Sequence, residues 1–152
     1  MNLKKLFVLS MLFVPVLVSA QTAAEFETIL KTPAVSYGQA SLFVNACATD
    51  TGSADVRTAA EAYALTKDRG WLPSGTAVDA PVTMKDISFL MMNAFGIKGG
   101  IMYNLFPGPR YAYRTMVSRR YISGICDPDM KVSGEQFFVI LGNVLSETGG
   151  EQ

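Results

Sequence analysis

The chain has no histidine. That removes the commonest general base, the usual catalytic triads and most zinc sites. It also lacks a paired-carboxylate pattern, a P-loop and a GxGxxG turn in a fitting context. Asp127-Pro128-Asp129 suggests a calcium loop, but the further oxygen ligands and glycine of such a loop are missing, so loop capping explains it better. No excess of charge of either sign exists: 13 basic residues face 13 acidic ones. The overall balance therefore gives no global pull toward nucleic acid or an anionic membrane. After residue 18 no apolar run is long enough to span a bilayer. These absences leave no catalytic residue, metal or cofactor to assign, and the reading is of a protein that is not an enzyme.

What is present begins with an export signal. Lys4 and Lys5 form a positive n-region, Leu6 to Val18 an apolar stretch, and Val18-Ser19-Ala20 a small-residue cleavage site. Pro15 interrupts a stretch already short for a spanning helix, which favours cleavage over anchoring. No cysteine follows the cleavage site, so the signal is not that of a lipoprotein. Residues 1–20 are thus expected to be a cleaved signal peptide, and the mature protein to lie in the periplasm, at the cell surface or in the outer envelope. Removing them leaves 132 residues with 11 basic and 13 acidic side chains, enough for one domain and too apolar for disorder.

An internal repeat organises the remainder. At an offset of 50, residues 62–95 align without a gap to residues 112–145, with Ala62, Tyr63, Arg69, Asp79, Val82 and Asn93 identical to their counterparts. The second half of this unit occurs a third time, because Val35-Ser36-x-x-Gln39 matches Val82-Thr83-x-x-Asp86 and Val132-Ser133-x-x-Gln136. That is the capping-box spacing, with Asp a poorer partner than Gln, so three helices are expected to start by one device. After each cap the apolar residues recur at helical spacing: Ala40, Phe43, Val44, Cys47; Ile87, Leu90, Met91, Ala94, Phe95; Phe137, Ile140, Leu141, Val144, Leu145. Gly96 would close the second of these.

The first half of each full unit is also helical, over 56–69 before Gly70-Trp71-Leu72-Pro73, and from Pro109 to about Tyr121. Loops 73–82 and 123–132 join the halves, and 96–108 connects the units. The expected architecture is all-α: two and a half helix–loop–helix repeats in one compact domain over 35–149, made of a half unit 35–48 and units 56–96 and 109–146. Residues 21–34 form an N-terminal segment with room for a short helix. An incomplete array exposes an apolar face, to be covered by a second subunit in a homo-oligomer or by residues 21–32.

The unit resembles the S-layer homology motif. The resemblance rests on Arg69-Gly70-Trp71-Leu72 and Tyr121-Ile122-Ser123-Gly124, on Asp79 and Asp129, and on the capping Thr83 and Ser133, and it covers about residues 33–146. The segment GIKGG-x₃-NLFPGPRYAYR also looks like one found in exported spirochaetal envelope proteins of unassigned function. The first resemblance implies a pseudo-threefold helical domain that binds a cell-wall polysaccharide. One departure matters: glycan-binding members usually carry Arg directly after the capping hydroxyl, where this chain has Tyr37, Met84 and Gly134.

Two further features are weighed as sites. Between 103 and 121 the aromatics Tyr103, Phe106, Tyr111, Tyr113 and Tyr121 alternate with Arg110, Arg114, Arg119 and Arg120. Arg110 and Arg114 share a helix face. Aromatic rings stack on sugars and guanidinium groups pair with carboxylates or phosphates, so Tyr103, Phe106, Arg110, Tyr111 and Arg114 are the candidate ligand-binding set. The alternative is an aromatic core under solvated arginines, which the match of Ala112-Tyr113 to Ala62-Tyr63 favours for that pair. Met91, Met92 and Met102 read as core filler. Cys47 falls where the other units have Ala94 and Val144, so core packing is its default role, and a Cys47–Cys126 disulfide is left open. The expected function is a non-catalytic envelope module binding a cell-wall glycan or an envelope protein, with a protein–protein adaptor as the alternative.

Overall fold

In the computed structural model, residues 24–48, 58–124 and 127–148 are described. They form seven helices and no strand: α1 (24–30), α2 (Tyr37–Cys47), α3 (Ala59–Asp68), α4 (Met84–Ala94), α5 (Ile101–Leu105), α6 (Pro109–Ser118) and α7 (Gly134–Thr148). None of these helices is long and apolar enough to cross a membrane.

Side-chain caps set the starts of α2, α3, α4 and α7. Ser36 accepts from the Gln39 amide while the Gln39 side chain accepts from the Ser36 amide. Ser133 and Gln136 repeat the pair at α7. The third start differs from the reciprocal box that spacing suggests. Thr83 accepts from the Asp86 amide, but the short Asp86 carboxylate turns inward and takes the Thr83 hydroxyl at 2.7 Å. A third reciprocal capping box, Thr58 with Glu61, opens α3. Its Thr-x-x-Glu spacing is plain in the sequence, but it lies outside the aligned repeat.

The segments before the three repeated starts meet at the centre. The Val35 amide donates to the Val132 carbonyl (2.8 Å), the Val82 amide to Val35 (2.8 Å), and the Val132 amide to Val82 (3.2 Å). This closed ring satisfies three backbone donors where no water reaches, since all three valines are fully buried. The next amides are held just as regularly. Tyr37 and Gly38 donate to Ala80 and Val78, Met84 and Lys85 to Met130 and Pro128, and Gly134 to Thr32. Each helix start is thus gripped by the loop that precedes the next one.

Around the ring, α3 packs on α2 and α6 on α4. α1 covers the start of α7. Ile29 is buried, Phe26 lies against Phe138 with ring centroids 4.2 Å apart, and a Cβ on Gly134 would stand 1.7 Å from the Ile29 carbonyl oxygen. Only glycine lets these two backbones approach so closely. Residues 24–32 thus lie over the start of α7.

The helical stripes bury as their periodicity indicates. Ala40, Val44, Ile87, Leu90, Met91, Phe137, Ile140, Leu141 and Val144 lie in one core, with Phe43, Cys47, Ala94, Phe95 and Leu145 packed at its edge. Gly70 follows α3 at φ 72°, as the stop read from the sequence requires, and the equivalent Arg120 follows α6 at φ 63°; α6 ends at Ser118, three residues before the sequence-based limit at Tyr121. Both ends are Schellman turns: Trp71 and Tyr121 donate back to Thr66 and Met116. The connector 96–108 contains α5, and Met102, expected as core filler, is exposed on it.

Candidate functional site

The aromatic and arginine segment becomes a corner built from α5 and α6. Pro109 at the first turn starts α6 with a preset φ and no amide to satisfy. Ala112 and Met116 anchor α6 in the core, which sends Arg110 and Arg114 outward on one face. α5 is a single turn between Gly100 and Phe106. Its Tyr103 turns inward, meeting Phe89 edge-on at 6.5 Å between centroids. Burial raises the Tyr103 pKa, against the opposing effect of a hydrogen bond with Asn93.

Three of the five candidate binding residues converge. Tyr103, Tyr111 and Arg114 line one open groove of about 330 Å³ between α5 and α6, together with Ile101, Met102, Thr115 and Ser118. Phe106 and Arg110 do not line it: Phe106 projects from the end of α5, and Arg110 is exposed on the first turn of α6. Of the wider aromatic set, Tyr121 is buried in the core and Tyr113 packs against it, so neither is available to a ligand. Arg119 is committed to structure, its guanidinium donating to the Lys98 carbonyl at 2.8 Å.

The positions directly after the capping hydroxyls are internal. Tyr37, Met84 and Gly134 are all buried at the helix starts. A charged arginine at 84 or 134 would lose its hydration on burial, and at 37 a tyrosine takes the place facing Asp86. The Tyr37 hydroxyl reaches Asp86, and burial first, then that hydrogen bond and charge, hold its pKa well above the usual tyrosine value.

Cys47 is a free thiol at the edge of the core, its pKa raised by burial. Its suggested partner Cys126 lies outside the described residues, as do residues 1–20. Asp129 has its own task, pairing with Lys85, whose pKa that hydrogen bond raises. Among the described residues no group of three or more carboxylates and thiols stands close enough to hold a metal ion.

A second groove, of about 460 Å³ and largely apolar, opens between α1, α2 and the start of α3, with Ile29, Leu42 and Phe43 in its walls. No sequence pattern indicated it, because it depends on how α1 docks. No protein-family model, curated protein or solved structure matches this chain.

Proposed function

We propose that this chain is a non-catalytic binding module of the cell envelope, and that the α5–α6 groove takes an acidic cell-wall glycan. The observation that carries the reading is the convergence of Tyr103, Tyr111 and Arg114 on one open groove. Two tyrosine rings offer faces for a sugar ring, and a guanidinium beside them suits a uronic-acid carboxylate or a phosphodiester. Its surroundings favour an anion: from Ile87 to Cys126 the sequence has five basic residues and not one carboxylate. The expected position of the protein outside the cytoplasm, read from residues 1–20, places such polymers within reach.

Co-sedimentation with purified wall polymer tests the reading. The protein is expected to sediment with an acidic polymer, and Tyr111→Ala with Arg114→Ala to weaken retention about tenfold or more, while Glu135→Gln on α7 leaves it unchanged. No retention on any wall fraction would sink it.

A further inference from the structure

We propose that the exposed turn α5 is a membrane-interface anchor, seating its apolar side chains in the surface of an anionic phospholipid bilayer. This goes beyond the glycan reading and does not depend on it. Ile101 is 79% exposed, Leu105 63%, Phe106 62% and Met102 48%. At about 100° per residue these four span an arc of roughly 140°, with the inward Tyr103 roughly 60° beyond its edge. They make one face, held in the open by the packing of Tyr103 on Phe89.

The backbone of this turn is suited to a lipid interface. Asn104 and Phe106 donate their amides internally, to Gly100 and Met102. Pro107 and Pro109 have no amide to satisfy. The first amides and last carbonyls of so short a turn have no partner within it, so the backbone stays at headgroup depth, where water still reaches it, and only the side chains enter the acyl layer.

Charge selects the occupant. Lys98 is exposed just before the turn, Arg110 follows it, and Arg114 lies across the groove from Ile101 and Met102. Among the described residues no carboxylate forms a salt bridge with any of the three. An apolar tip ringed by cations matches an anionic headgroup layer, where each nearby cation adds to binding. A second copy seated on the same face would bring the exposed Arg110 and Arg114 of both copies together. A sugar would find only Asn104 for its hydroxyls on this tip. All 13 acidic residues lie outside 87–126 in the sequence, and Glu147 comes near this segment only on the far side of Lys98, beside Arg119 and Tyr121.

The test uses the protein as the exporting cell delivers it, with vesicles of phosphatidylcholine alone or containing about one-third phosphatidylglycerol. A Phe106→Trp variant is expected to shift its emission to the blue, and to be quenched by acyl-brominated lipid, only with the anionic vesicles. Lys98→Gln with Arg110→Gln should lower partitioning about tenfold, and Leu105→Ser with Phe106→Ser should abolish the anionic preference, both with unchanged circular dichroism. Unshifted emission on both vesicles, or equal partitioning onto neutral and anionic ones, overturns the proposal. So does a dimer by native mass that Leu105→Ser with Phe106→Ser converts to monomer, since a second copy then owns the face. Wall retention without vesicle binding defeats this inference alone, and vesicle binding without wall retention defeats only the glycan reading.

Discussion

The Tyr37 hydroxyl donates to the Asp86 carboxylate at 2.5 Å, tying the first residue of α2 to the first turn of α4 across 49 positions of sequence. The same carboxylate oxygen takes the Thr83 hydroxyl, while the other oxygen is buried without a hydrogen-bond partner among the described residues. Two donors thus converge on one acceptor that water does not reach. Hydrogen bonds to a charged group stabilise by about 1.5–3 kcal/mol, and removing one member leaves the rest unsatisfied.

Tyr37→Phe is therefore expected to lower unfolding stability by about 2 kcal/mol, read from urea midpoints at constant slope. Asp86→Ala strips the acceptor from both hydroxyls and should cost about 3–4 kcal/mol. In the double variant the losses should fall short of their sum. Additive losses would show that the two residues are not coupled.

The same pair governs behaviour at high pH. The folded state holds Tyr37 protonated to higher pH than the unfolded chain does, through burial and the adjacent Asp86 charge. That contribution is complete below the ordinary tyrosine value near 10 and is lost as pH rises through the raised folded value. Stability should therefore decline above about pH 10. Tyr37→Phe should make the decline shallower, leaving the smaller contributions of Tyr103 and Tyr121, whose pKa values burial also raises. An identical slope in wild type and variant would count against this account.

Arg120 adopts the left-handed conformation that its counterpart Gly70 adopts at the end of α3. A side chain there costs about 1–2 kcal/mol, and glycine gives back part of the relief as unfolded-chain entropy. Arg120→Gly should accordingly raise stability by roughly 0.5–1 kcal/mol, while Gly70→Arg lowers it. Thermal melts of both variants check the sign.

Gly134→Ala should release α1. A Cβ at that position runs into the Ile29 carbonyl, and backbone cannot yield as a flexible side chain does. Expected are a loss of about 2–3 kcal/mol and faster proteolysis within residues 24–32, with α4 and α6 still protected from hydrogen exchange. Unchanged protection of 24–32 would mean that α1 docks by other contacts.

The repeated caps and stripes were legible because each is local. Ser36 with Gln39, and Ser133 with Gln136, are three residues apart, and the spacing of Phe137, Ile140, Leu141 and Val144 alone names the buried face of α7. What sequence could not supply was long-range. The turn of Asp86 toward Tyr37 and the seating of α1 on Gly134 each depend on the fold as a whole. The candidate site was half legible for the same reason. Arg110 and Arg114 share a face by spacing, but whether Tyr103 or Phe106 turned inward depended on Phe89, 14 residues before Tyr103. Tyr121, paired with Trp71 in the repeat and weighed between surface and core, is carried into the core by the end of α6 at Ser118.

The valine ring has a consequence for how the chain assembles. In an open stack of repeats one unit can order first and its neighbours add in turn, and the terminal unit frays independently. Here the amide of Val35 waits for Val132, nearly a hundred residues away, while that of Val82 waits for Val35 and that of Val132 for Val82. No single repeat can complete its own centre. The three must arrive together to close the centre, so none of α2, α4 and α7 is a terminal repeat that can fray by itself.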